Sequence, residues 1–154
     1  MRFQDKTFSC GAAAVVNAAR ALGKRVSERK TRTLAFTDDT GTGNEGVIAA
    51  ARSLGYAAVG YDAESRNHAW RWLRGALLQG SVVIMAVDQW AHWVACIGML
   101  GERVILVDSS NMKKNKQENG VHVLSKERLM QRWWYGRRSE DYPLYGICIS
   151  KNRS

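Results

Sequence analysis

The apolar residues of this 154-residue chain change their spacing near residue 81, and that change limits the folds open to it. Before it, apolar positions recur at helical intervals between glycine stops. After it, they come in short runs of strand length. Residues 10–22 form an Ala-rich helical run that Gly23 ends. Residues 24–36 are basic and predict a short helix, and residues 37–46 read as a loop by composition. Thr42 or Asn44 then caps a helix through Val47, Ile48, Ala51 and Leu54, closed by Gly55. A short strand is expected over 56–61. A further helix carries Trp70, Leu73, Leu77 and Leu78 and stops at Gly80.

Beyond this point Val82–Val87, His92–Leu100 and Val104–Val107 read as strands, the last two joined by a Gly101-Glu102 turn. Residues 109–120 are Lys/Asn-rich and predict a surface loop. Val121–Leu124 is extended, Ser125 starts a helix to about Trp133, and Leu144–Ile149 closes as a strand. Helices first and an antiparallel sheet second is the pattern of an α+β fold, here expected as a single domain over residues 1–154.

Composition narrows the class. Hydrophobic residues make up 45% of the chain and Pro143 is its one proline, so the chain has the makings of a packed core. No apolar run approaches the roughly 20 residues that span a bilayer, so no membrane insertion is expected. The N-terminal Met1-Arg2-Phe3 segment lacks a signal-peptide pattern, and three sparse cysteines do not form a disulfide framework. A reduced, cytoplasmic setting is the expectation. No CxxC or HxxxH pair is present, and the Gly-rich 41–46 segment lacks the Lys-Ser/Thr end of a phosphate loop, so no metal, nucleotide or other cofactor is expected.

The formal charge is +9, with basic clusters at 24–32, 113–116 and 126–138. Glu28, Glu118 and Glu127 interrupt them. Two readings stay open: a solvated surface, or a basic face for nucleic acid or an acidic protein.

Cys10 carries the chemistry. It follows Ser9, a natural N-cap residue, and opens the Ala-rich helix. A thiol in a first helical turn lies beside unpaired N–H groups and the positive end of the helix dipole, both of which favour thiolate. Among three histidines, His92 begins the longest strand-like run, and Asp108 ends the next one sixteen residues later. In a hairpin the start of one strand faces the end of the next, so His92 and Asp108 are expected to be neighbours. Taken singly, such a histidine or aspartate is more often structural. Together with Cys10 they form a nucleophile, a base and an orienter. Gln4 could add an oxyanion donor beside the Cys10 N–H. Trp90 and Trp93 flank His92 and are candidates to wall a substrate cleft, whereas Trp70, Trp72 and Trp133 read as core. Cys96 and Cys148 read as small buried hydrophobes.

The set Gln4-x5-Cys10-Gly-Ala-Ala, Gly41-Thr-Gly-Asn-Glu-Gly46 before a helix, His92-Trp-Val and Val107-Asp108 resembles the bacteriocin-processing (double-glycine leader) cysteine peptidases of the papain-like superfamily. The resemblance runs over about residues 1–150. It implies a papain-like fold, a peptide or protein substrate, Cys10 as nucleophile, His92 as base and acid, Asp108 as orienter and Gln4 as oxyanion donor. It also implies that the 41–46 loop, with Gly43 and Asn44, rims the substrate cleft. Two departures stand out. Many relatives form the N-terminal domain of an ABC transporter and cut leaders after Gly-Gly, whereas this chain carries no membrane segments and no ATPase domain. Ser109 also follows Asp108 where the family usually has proline. Cleavage of another peptide or isopeptide bond, deamidation, or transglutaminase-like acyl transfer would use the same three residues.

Overall fold

A computed structural model describes residues 1–88, 90–133 and 144–152. Its elements, in chain order, are α1 (Cys10–Ala21), α2 (Glu28–Leu34), α3 (Asn44–Ser53), β1 (Tyr56–Ala63), α4 (Arg66–Leu78), β2 (Val82–Val87), β3 (His92–Leu100), β4 (Arg103–Val107), α5 (Lys113–Gln117), β5 (Val121–Leu124), α6 (Lys126–Trp133) and β6 (Leu144–Lys151). The strands form one antiparallel sheet in the order β1-β6-β2-β3-β4-β5. Among the described residues no helix is long and apolar enough to cross a membrane.

Helices cover both faces of this sheet. Ile84 and Ala86 of β2, Ala95 of β3 and Ile147 and Ile149 of β6 share a core with α1 and α3. Val83, Met85, Val87, Val94, Cys96 and Leu106 share the opposite core with α4 and α6. β2 lies in the middle with all six residues buried, which is why it reads as a continuous apolar run rather than an alternation. α1 packs against β3 and against α2 and α3, with ten of its twelve residues buried. Alanine suits that place: it favours the helix and lets backbones approach closely.

Several expectations need correction. Helices and strands are not fully segregated along the chain, because β1 precedes α4 and pairs with β6 from the far end. β1 also runs to Ala63, beyond the expected residue 61. The 109–120 segment contains α5, whose Asn115 side chain donates to the carbonyls of Asp108 (2.9 Å) and Ser110 (2.7 Å). Gly43, not Thr42 or Asn44, is the N-cap of α3. Trp133 is fully buried, but Trp70, Trp72 and Cys148 are only partly so. Part of the basic charge is paired within the fold. Arg32 pairs with the buried Glu28 at 2.8 Å, and Lys24 donates to the Leu54 carbonyl at 2.7 Å.

The turn at Gly101, whose φ is +62°, joins β3 to β4. Pairing runs Leu100↔Arg103, Met99↔Val104 and Gly98↔Ile105, then shifts by one to Cys96↔Leu106 and Ala95↔Val107. Ile97 is the extra residue, a β-bulge. The first residue of β3 and the residue after β4 thus end up beside the N-terminus of α1.

Candidate active site

Cys10 is the first residue of α1, and its neighbours leave the helix end open. Ser9 occupies the N-cap, but its hydroxyl accepts from the Lys6 N–H (2.9 Å) and donates to the Lys6 carbonyl (3.0 Å). No side chain caps α1, so first-turn N–H groups stay available to a negative charge. The N–H groups of Gly11 and of Trp93 bond the Cys10 sulfur.

His92 joins Cys10 to Asp108. Its Nε2 lies 2.7 Å from Asp108 Oδ1, and the ring also hydrogen-bonds Cys10, which leaves Nδ1 for the sulfur. The Asp108 carboxylate is held on both oxygens: Oδ1 also accepts the Ser110 N–H at 2.9 Å, and Oδ2 accepts from Arg132 Nη2 at 3.2 Å. Its main chain is fixed too, by the Asp108 N–H to the Gly120 carbonyl at 2.8 Å. Side-chain exposure is 15% for His92 and 8% for Asp108, so water screens the pair weakly.

The electrostatics follow from this wiring. Burial pushes the Cys10 thiol up, but the hydrogen bond and charge of His92, with the Trp93 and Gly11 N–H groups, bring it below a free thiol. Burial lowers His92, yet its bonds to Asp108 and Cys10 and their charges raise it to about 9. Burial raises Asp108, and its bond to His92, the imidazolium charge, the Ser110 N–H and Arg132 bring it down to about 2. A lowered thiol beside a raised imidazole is the condition for a thiolate–imidazolium pair. Cys96 goes the other way, since complete burial pushes it up to about 12.

Two cavities flank the pair. One, of about 550 Å³, is lined by His92, Asp108, Gln4, Ala91, Met112 and Arg132, among others. The other, of about 290 Å³, is lined by Cys10, Gly41, Thr42, Trp90 and Trp93, among others. Thr7 and Ala91 border both. Among the described residues no group of three or more His, Cys, Asp or Glu is arranged to hold a metal ion.

The peptidase C39 family model matches residues 1–134. The chain belongs to the peptidase C39 family. That membership makes it a cysteine peptidase with a papain-like fold. An uncharacterized protein of Methanothermobacter thermautotrophicus is 30% identical over 105 residues, which are 68% of each chain. The fold is similar to the peptidase domain of Streptococcus ComA, a bifunctional ABC transporter of a quorum-sensing pathway. There the TM-score is 0.72 at 21% identity, covering 98% of this chain and 97% of that one. It is also similar to a double glycine motif protease from an AMS/PCAT transporter in complex with its leader peptide. In that case the TM-score is 0.67 at 21% identity, covering 96% and 86%.

In this C39 peptidase the loop after α2 approaches Cys10 through Thr42, not through Gly43 and Asn44. Gly41 and Thr42 line the Cys10 cavity, whereas Asn44 bonds the Tyr145 hydroxyl. Trp93 explains the offset. Its Nε1 donates to the Thr42 carbonyl at 2.8 Å, in a buried bond that ties the loop to β3. Trp90 lines the same cavity, and its ring lies 5.5 Å from that of Tyr145.

Gln4 is buried beside His92 and bonded at every polar group. Its N–H donates to the Ser109 carbonyl at 2.9 Å, its Oε1 accepts from Ser109 Oγ at 3.0 Å, and its carbonyl accepts from Asn111. Its Nε2 donates to the carbonyls of Lys6 (2.8 Å) and Thr7 (3.2 Å). Ser109, the departure from the usual proline, thus contacts the glutamine directly. Glu28 anchors the next residue, accepting the Asp5 N–H on both oxygens at 3.1 and 3.0 Å. Neither Glu28 nor Arg132 stands out in the sequence as part of the site. Glu28 reads as an acid that interrupts a basic cluster and Arg132 as a member of one, until tertiary contacts pair them.

Proposed function

We propose that this cysteine peptidase cleaves a peptide bond through Cys10, His92 and Asp108, with a thioester intermediate. The observation that carries the proposal is the hydrogen-bonded chain from the Cys10 sulfur through His92 to Asp108 at the junction of two cavities. The Cys10 thiolate attacks the scissile carbonyl carbon, and the π electrons move to the oxygen. The Cys10 N–H and the Gln4 amide stabilise that oxyanion, Gln4 by giving up its longer, 3.2 Å bond to the Thr7 carbonyl. His92 gives its proton to the leaving nitrogen as the C–N bond breaks, which leaves an acyl-thioester on Cys10. His92 then takes a proton from water, the hydroxide attacks the thioester, and the C–S bond breaks to release a carboxylic acid, which loses its proton to solvent and leaves Cys10 a thiolate beside the His92 imidazolium.

Proton delivery assigns the two cavities. The leaving amine must meet His92, so the 550 Å³ cavity takes the leaving side. The 290 Å³ cavity at Cys10 takes the acyl side. Its small size and the likeness to a double glycine motif protease support a substrate with glycine or another small residue before the scissile bond. The test is turnover of peptides ending in Gly-Gly before a variable segment, with mass analysis of the products. Wild type should release two fragments and Cys10→Ala none. Full turnover by Cys10→Ala would overturn the reading, and release of ammonia without chain cleavage would replace peptidase by deamidase chemistry.

A further inference from the structure

Arg132 binds two carboxylates from separate parts of the site. Its Nε donates to Asp88 Oδ1 at 3.1 Å and its Nη2 to Asp88 Oδ2 at 2.7 Å, a fork on one carboxylate. The same Nη2 donates to Asp108 Oδ2 at 3.2 Å. The backbone adds a third link, since the Asp88 N–H donates to the Arg132 carbonyl at 2.9 Å. α6 is thereby fastened both to Asp108 and to the turn that leads into His92.

That turn needs fastening. Asp88 and Trp90 have φ of +54° and +62°, in the left-handed region that non-glycine residues rarely occupy. Such backbone persists where its surroundings over-determine it. The Ala91 N–H closes the turn on the Asp88 carbonyl at 3.2 Å, and His92 follows at once. Asp108 has a matching need. Its Oδ1 serves His92 and Ser110, and among the described residues only Arg132 holds its Oδ2. Without Arg132 the Oδ2 side of the carboxylate would lose its hold, and Asp88 and Asp108 would lose the cation they share.

We propose that Arg132 is a positioning residue for the peptidase reaction, holding Asp108 and Asp88 so that His92 is presented to Cys10. The proposal rests on the roles given above to Cys10, His92 and Asp108. A planar guanidinium is required because one group must fork onto Asp88 while reaching Asp108. A lysine ammonium carries the charge without that geometry.

The experiment compares full-length wild type, Arg132→Lys and Arg132→Gln. It measures kcat and KM on one cleaved peptide, the pH profile of Cys10 alkylation by iodoacetamide with Cys96 and Cys148 as internal controls, and thermal melting. Both variants should lose about 10- to 100-fold in kcat with KM little changed, the order of loss that a misplaced catalytic group produces. Their Cys10 alkylation should move to higher pH, because a loosened Asp108 supports the imidazolium less well.

If Arg132→Lys matches wild type in kcat and pH profile, charge alone suffices and the proposal falls. If both variants melt lower but keep kcat and the alkylation profile, the role is structural and the proposal falls equally. Should Arg132→Gln fail to fold, Arg132→Lys decides alone. Wild-type Cys10 behaving as an ordinary thiol would overturn the roles of Cys10 and His92 themselves. An activated wild-type Cys10 that the variants retain would overturn only the role of Arg132.

Discussion

Asp108 and His92 share a face of the sheet because β3 carries one extra residue, Ile97, within its pairing with β4. Near the turn, paired residue numbers follow the register of Gly98 with Ile105. Beyond Ile97 they follow that of Ala95 with Val107, and that register, extended by one residue, sets Asp108 across from Val94. Val94 and His92 have the same parity, so the carboxylate and the imidazole meet. Had the first register continued, Asp108 would fall across from Ala95, on the other face of the sheet from Val94.

Deleting Ile97 therefore sets two requirements against each other. Either Val94 and Cys96 leave the α4–α6 core, or Asp108 leaves the face of His92. The expected result is a lower melting temperature together with a loss of at least about 100-fold in kcat, since displacement of about 1 Å already costs that much. Melting and turnover of the deletion variant check it. Unchanged turnover would mean that the bulge does not set the pairing of His92 with Asp108.

The pH dependence of turnover follows from the same wiring. Activity should rise with Cys10 ionisation, below the range of a free thiol, and fall as His92 loses its proton near pH 9. Asp108→Asn keeps a hydrogen-bond acceptor and removes the charge. It should bring the basic limb down toward the usual histidine range of about 6.5 and lower kcat about 100-fold. A kcat/KM profile from pH 4 to 10 for both proteins tests this. A basic limb that stays near 9 in Asp108→Asn would show that Asp108 does not set it.

Stability should vary with pH in a related window. Asp108 is held at about 2, below its unfolded value of 3.8, so its contribution is present above about pH 4 and is lost as pH falls toward 2. His92 is raised from 6.5 to about 9, so its contribution is full below pH 6.5 and is lost as pH rises through 9. The interaction of the pair therefore stabilises the fold most between about pH 4 and 6.5. Thermal melts of wild type and Asp108→Asn should differ most in that window, converge toward pH 2, and narrow above pH 9 to the part that Ser110 and Arg132 supply. A difference that keeps growing above pH 9 would contradict this.

The sequence already carries the local parts of this site. The Ala-rich run after Cys10 specifies a helix by itself, and the spacing from His92 to Asp108 matches a hairpin whose Gly101 turn is visible. What is illegible depends on tertiary contacts. α5 is five residues long and is held by Asn115, which is tied to His122 (2.7 Å) and to the main chain near Asp108. Propensity offers no sign of it. The Ile97 bulge leaves no mark either, because the run through it is apolar on both sides. Arg132 lies within a basic cluster that reads as surface, and only the fold brings Asp88 and Asp108 to it. The approach of the 41–46 loop to Cys10 through Gly41 and Thr42 is illegible because its anchor, Trp93, lies fifty-one residues beyond Thr42.

That anchor makes Gly11 the tightest point between helix and loop. A Cβ at Gly11 would lie 2.6 Å from Thr42 Cβ, 2.9 Å from Thr42 Oγ1 and 3.1 Å from Trp93 Cδ1. Thr42 has little room to yield, since its carbonyl takes the Trp93 Nε1–H and its hydroxyl lies 2.7 Å from that of Thr37. Helix propensity alone would favour Gly11→Ala by about 0.8–1 kcal/mol. Overpacking a buried contact costs about 1–3 kcal/mol, so the clash should decide the sign. Gly11→Ala should be less stable than wild type by up to roughly 2 kcal/mol, the difference of those two effects. It should also cleave more slowly, because Thr42 and Trp93 wall the cavity at Cys10. Denaturant unfolding and kcat/KM measure both effects, and a variant that gains stability at unchanged turnover would mean that the loop moves aside at no cost.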